Sequence, residues 1–231
     1  MMKLFYDLHM HSCLSPCGDM DMTPNNIVNM AMLNGLDVIA VSDHNCARNL
    51  PAVFSVAQKV GMLVIPAIEV CTSEEVHILC LFEQLDSCLA FSDLLYEYQP
   101  DIKNDPEIFG QQVVMNDMDE PIATVDKLLI NASQLSLDEL VRLLPNYQGV
   151  PIPAHVDKSS YSIISNLGYI PPEYGFRCIE KKDLCAQVAF EGNVISDSDA
   201  HYLEDIAQPQ NAIEVEEKTI TSVIKSILKP I

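Results

Sequence analysis

The chain has 231 residues, 48% of them apolar, enough for one sizeable core, and no shift in composition divides it into two domains. A net charge of −20, with 13 Lys and Arg spread thinly, excludes the clustered basic face that holds a phosphate backbone, so nucleic acid is not the expected partner. No uninterrupted run of about 18 apolar residues occurs, and residues 1–7 lead into a strand-like segment without a basic region and cleavage site, so a soluble, cytoplasmic protein with no membrane partner is expected.

Residues 4–9 read as a first strand. Thr23 and Pro24 then open a helix over 25–34, with Gly35 just past its end. Residues 36–42 are almost wholly apolar, as in a strand buried on both faces. The rhythm continues with a helix over 51–60, strands over 62–68 and 76–82, and an apolar-periodic helix over 85–98. Later come a helix whose start has the capping-box spacing, Ser136 to Glu139, and strands at 149–154, 178–180 and 194–196. Alternating strand and helix argues for an α/β barrel or a doubly wound sheet.

Residues 98–133 break this rhythm with Pro100, Pro106 and several acidic side chains, then offer a hairpin turning at 116–120. They read as an insertion beside a single domain covering 1–231, either a lid or a solvated elaboration. The eight cysteines form no C-x-x-C pair and several sit within apolar runs, which points to reduced, mostly buried thiols.

The six histidines carry the chemistry, four of them at or near the end of an apolar run. His9 and His11 are two apart on a strand, so both point to one face and can grip one ion. His44 closes the next strand, Glu69 and His77 flank the following pair, and His155, then Asp199 and His201, follow two later strands. In a parallel barrel the C-terminal strand ends converge on one face, bringing these groups together. Imidazoles mixed with carboxylates suit Zn, Mn or Fe better than Mg or Ca.

The order Asp7-Leu8-His9-Met10-His11-Ser12, Val41-Ser42-Asp43-His44, Glu69, His77, His155 and Ser198-Asp199-Ala200-His201 resembles the polymerase and histidinol phosphatase (PHP) family of phosphoesterases over residues 5–201. That resemblance implies a distorted (β/α)7 barrel with up to three divalent ions. It implies His9, His11, Glu69 and Asp199 for the first ion, Glu69, His77 and His155 for the second, and His44 and His201 for the third. The remaining third-ion ligand departs from the family pattern, which has Asp or His where this chain has Pro16 and Cys17. Asp19 is the expected ligand, because a thiolate would be unusual among these donors. A second departure is Val156, where many relatives have proline.

Around these residues, Asp43 and Asp7 could orient imidazoles or cap turns, and Asp197 is expected on an exposed loop. Arg48, Lys158 and Arg177 could clamp a phosphate or be plain surface cations. The expected activity is hydrolysis of a small phosphomonoester by a metal-activated hydroxide, with His9, His11, Glu69, His155, Asp199 and His201 as the catalytic set. The alternatives are a 3′-5′ exonuclease or phosphodiesterase acting on nucleic-acid ends or small diesters, and a non-catalytic metal-binding module.

Overall fold

In the computed structural model, which describes residues 1–229, the central strand β1 (Met2–Met10) pairs in parallel with β2 (Val38–Val41), and β2 pairs in parallel with β3 (Leu63–Val64). Helix α1 (Pro24–Leu33) joins β1 to β2. The Thr23 hydroxyl accepts from the Asn26 N–H, and Pro24 occupies the first turn, where a missing donor costs nothing. Helix α2 (Leu50–Val60) follows β2 and ends on Gly61 at φ 73°, a left-handed cap that glycine adopts without penalty.

The single strand expected over 62–68 is two strands, β3 and β4 (Ala67–Cys71). Pro66 is the cause: it has no N–H to extend the ladder to β2. The Ile65 N–H donates to Ile39, while the Pro66 carbonyl accepts from Phe82 on β5 (His77–Phe82), so the chain changes partners at the proline.

The expectation of strands running parallel holds only in part beyond this point. β5 is antiparallel to β4, because five residues are too few to cross back over a sheet but enough for a hairpin, and β8 (Gly149–Pro153) runs antiparallel to β5. Strands β9 (Cys178–Glu180) and β10 (Asn193–Ile195) form a parallel pair, and β11 (Ala212–Val215) runs antiparallel along β1. Among the described residues the strands make four separate sheets and no closed barrel. Two isolated bridges, Met10 to Ala200 and His44 to Glu69, tie the strand ends together.

Helices α3 (Leu85–Tyr98) and α5 (Leu137–Leu143) pack with α1 and α2 over a core that includes Ile27, Val53, Phe91 and Leu140. Ser136 and Glu139 complete the anticipated capping box. A second core, with Leu4, Leu8, Ile65 and Leu79, is covered by α7 (Ile220–Ile227) through Val223, Ile224 and Ile227. Short helix α6 (Ile163–Leu167) follows β8.

The insertion contains a short helix, α4 (Pro106–Phe109), and the hairpin of β6 (Val113–Met115) with β7 (Pro121–Thr124), turning at 116–120 as anticipated. It is bonded to the body. Val113 donates to the Cys13 carbonyl, Asn49 accepts from Met115, and Leu14, Cys46, Val114, Val125 and Leu129 share an apolar cluster. The insertion therefore braces the loop that follows His11.

Candidate metal centre

Because β5 runs against its neighbours, its first residue lies where β4 and β8 end: Cys71 faces His77, and Ile78 faces Pro153. This is why a histidine at the start of one strand meets ligands at the ends of others. His9, His11, His44, Glu69, His77 and His155 are all buried there, and Asp199 and His201 approach after β10.

Glu69 is the hub. Its Oε1 lies 3.2 Å from His9 Nε2, 2.9 Å from His77 Nδ1 and 3.1 Å from His155 Nε2. Its Oε2 lies 3.0 Å from His44 Nδ1 and 3.5 Å from His11 Nε2. Asp199 Oδ1 adds a second carboxylate, 3.2 Å from His11 Nε2 and 3.6 Å from His9 Nε2. Burial raises the pKa of Glu69, but His77, His9 and His44 outweigh it and hold the carboxyl well below its usual range.

The outer hydrogen bonds decide which ring nitrogens face inward. His9 Nδ1 donates to Glu180 Oε2 at 2.9 Å. Ser15 Oγ donates to Asp43 Oδ1 at 2.7 Å, so it accepts from His11 Nδ1 at 3.1 Å. Both rings thus carry their proton on Nδ1 and aim an Nε2 lone pair at a carboxylate oxygen. Two lone-pair donors facing each other repel unless a cation lies between them. Consistent with that, His9 Nε2, His44 Nδ1 and Glu69 Oε2, which face one another there, are buried without a hydrogen-bond partner.

Burial and the neighbouring His44 push the His11 pKa well below its usual value, and burial also lowers that of His77, which favours the neutral, metal-ligating form. Burial opposes charge on His9, yet Glu180, Glu69 and Asp199 raise its pKa well above the usual value, so this spot stabilises positive charge. The donor set fits divalent metal. His155 and Asp199 adopt positive φ, 30° and 50°, strain that persists at a ligand because the surroundings enforce it.

Three groups of ligand atoms cluster tightly: His9, His11 and Asp199; His44, Glu69 and His77; and His11, Cys17, His44 and His201. The expected Asp19 is not among them. Its carboxylate accepts from the Asp21 N–H in a local turn, and Cys17 stands beside His44 and His201 instead. Burial raises the Cys17 thiol, but these two imidazoles bring its pKa down to about 7.

Glu180 escaped the sequence reading. It is fully buried, holds His9, and accepts from the His155 N–H at 3.1 Å. A carboxylate closing an apolar strand was the available signal, the same one that marked Glu69. Asp197, expected on an exposed loop, is buried, accepts from the Leu8 N–H at 2.6 Å, and has its pKa pushed well up by burial. Asp7 accepts from Ser198 and Ala207 and touches no imidazole, while Asp43 acts on His11 through Ser15.

Lys158 reaches Asp199 Oδ2 at 2.5 Å. With Ser160 and Tyr161 it forms one wall of a cavity of about 110 Å³ over Glu69, His44, His77, His155, Asp199 and His201. Tyr161 stacks on His77, ring centroids 4.9 Å apart. The cavity's lining residues come from outside the insertion. Arg48 lies over the Tyr96 ring, and Arg177 lines a different groove beside Phe176 and Phe190.

The PHP domain family profile matches residues 7–167. Among solved structures, the lesion-specific endonuclease Q of Pyrococcus furiosus superposes with a TM-score of 0.72 at 20% identity, over 98% of this chain and 56% of that one. Endonuclease Q bound to a 27-mer duplex with an abasic lesion gives 0.70 at 20% identity, with the same coverage. The chain therefore spans little more than half the length of these structures. A protein described as a metal-dependent phosphoesterase from Bifidobacterium adolescentis gives 0.53 at 16% identity, over 96% of this chain and 95% of that one. No curated protein matches the chain in sequence.

The fold is a mixed α/β fold of PHP type, and its buried histidine and carboxylate cluster is of the kind that binds metal. The chain belongs to the PHP domain family. The likeness to a DNA endonuclease stands in tension with the charge-based expectation against nucleic acid. Among the described residues no helix is long and apolar enough to cross a membrane.

Proposed function

We propose that this chain hydrolyses a small phosphomonoester at a centre of up to three divalent ions, Zn, Mn or Fe. The observation that carries the reading is the convergence of five imidazoles and Asp199 on and around one buried carboxylate, Glu69, with His9 Nε2, His44 Nδ1 and Glu69 Oε2 left unpartnered. His9, His11, Glu69 and Asp199 would hold the first ion, Glu69, His77 and His155 the second, and His44 and His201 belong to the third. Bound divalent ions would supply Lewis acidity, lowering the pKa of water to about 7 and offsetting phosphoryl charge.

The chain's own residues do the positioning. Glu180 and Ser15 fix the His9 and His11 tautomers, so that each ring faces inward through Nε2. Lys158 presents an ammonium at the cavity wall, where it can pair with a non-bridging phosphoryl oxygen and hold the ester against the ligands. A cavity of about 110 Å³ on a strongly acidic chain suits one phosphoryl group on a small alcohol.

A second reading has a specific observation in its favour. The superposition on endonuclease Q favours a phosphodiester in DNA as the substrate, cut at a lesion or an end. One assay separates the two: phosphate release from a panel of phosphomonoesters beside cleavage of duplexes with and without an abasic site, each after chelation and after Mn or Zn is restored. Metal-dependent phosphate release with intact duplexes supports the monoester reading, and duplex cleavage without phosphate release replaces it with the second.

A further inference from the structure

We propose that Cys17 is a metal ligand through its thiolate, making the third sub-site, Cys17 with His44 and His201, a sulfur-containing one that prefers zinc or cobalt to manganese. The inference rests on the metal-centre reading above and adds to it the donor atom and the selectivity.

Several placements carry it. Cys17 Sγ shares a tight cluster with imidazole nitrogens of His11, His44 and His201. His11 has its Nδ1 committed to Ser15 and its Nε2 facing Asp199 and Glu69, so it serves the first ion, and the third is left with His44, His201 and the sulfur. His201 Nδ1 donates to the Asp199 carbonyl at 2.9 Å, which leaves Nε2 with its lone pair. His44 is 4% exposed, and its Nδ1 faces Glu69 Oε2 at 3.0 Å, so Nε2 is the nitrogen left for the third ion.

The loop is built to deliver the sulfur. Gly18 donates to the Ser15 carbonyl, and a Cβ on Gly18 would lie 2.3 Å from the Ser12 carbonyl oxygen, so the turn admits no side chain there. The Asp19 N–H donates to the His201 carbonyl, which ties the loop to the residue that shares the ion while the Asp19 carboxylate turns to the Asp21 N–H. On the other side, the Pro16 carbonyl packs against Gly110 of the insertion. The other seven cysteines share no ligand cluster among the described residues.

Selectivity follows from the donors. The other two sub-sites mix imidazole with carboxylate, which accepts Zn, Mn or Fe, whereas a thiolate with imidazoles and no carboxylate is a poor site for Mn and a good one for Zn or Co.

The test is cobalt titration of the full chain, followed by absorbance. Wild type is expected to develop a thiolate-to-cobalt charge-transfer band in the near ultraviolet. Cys17→Ser is expected to lose that band and bind one ion fewer while keeping the visible bands of the other sites, and Asp19→Asn should keep both. A wild type that binds cobalt without the band, or a band surviving in Cys17→Ser, overturns the assignment. A chain that binds no cobalt overturns the metal centre itself. On unsubstituted protein, zinc is expected to block iodoacetamide alkylation of Cys17, mapped by mass spectrometry, and manganese is not. Equal protection by both ions overturns the selectivity, and protection by neither overturns the ligand.

Discussion

Removing the Glu69 carboxylate leaves five imidazoles with Asp199, at His9 and His11, as the remaining inward anion, so the sites that Glu69 joins do not survive intact. Glu69→Ala or His9→Ala is expected to lower turnover by about 1,000-fold or more, ~4 kcal/mol in the barrier, in a protein whose circular dichroism is unchanged. Retained turnover in both would refute the assignment of the centre. Glu180 acts at one remove. Glu180→Gln withdraws the charge that holds the His9 proton on Nδ1 and is expected to weaken metal binding by about 10- to 100-fold, measured by competition with a chelating dye. At this scale the histidines were legible because most sit at or beside a strand end. Glu180 carried the same signal, a carboxylate closing an apolar strand, but only the fold shows that it meets His9, 171 residues away.

Among the elements, the capping box of α5 and the Phe91 face of α3 separate stability from catalysis. Ser136→Ala removes the acceptor for the Glu139 N–H and is expected to cost about 1 kcal/mol, a melting shift of roughly 2–4 °C, with turnover unchanged. Phe91 is fully buried against Phe82 and Tyr147, so Phe91→Ala should cost about 3–5 kcal/mol by denaturant titration. A cost below about 1 kcal/mol would mean that α3 is not seated on the core as described. Helix boundaries were readable from caps and periodicity, as at Thr23 and Ser136. Helix α7 passed unread although Ile220, Val223, Ile224 and Ile227 carry the helical spacing. Strand direction was the larger miss. Hydrophobic runs look alike whichever way they pair, and only the short link between β4 and β5 hinted at a hairpin.

For the whole molecule, metal is expected to hold separate parts together, since its ligands come from β1, β4, β5 and the segments after β2, β8 and β10. Chelation should therefore abolish turnover and lower the melting temperature, and restoring metal at about 100 times its dissociation constant should return about 2.7 kcal/mol. An unchanged melting curve after verified metal removal would show that the folded and unfolded chains bind metal alike.

The amino-acid order by itself determined the ligand types, their sequence and their attachment to strand ends, because hydrophobic period and metal-donor chemistry are local properties of a chain. Tertiary structure alone decided that β5 turns back to bring His77 to Glu69, that Asp197 and Glu180 lie buried, and that Cys17 stands beside His44 and His201. Those outcomes depend on which distant backbone groups each side chain meets, and burial and direction exist only once the strands have paired.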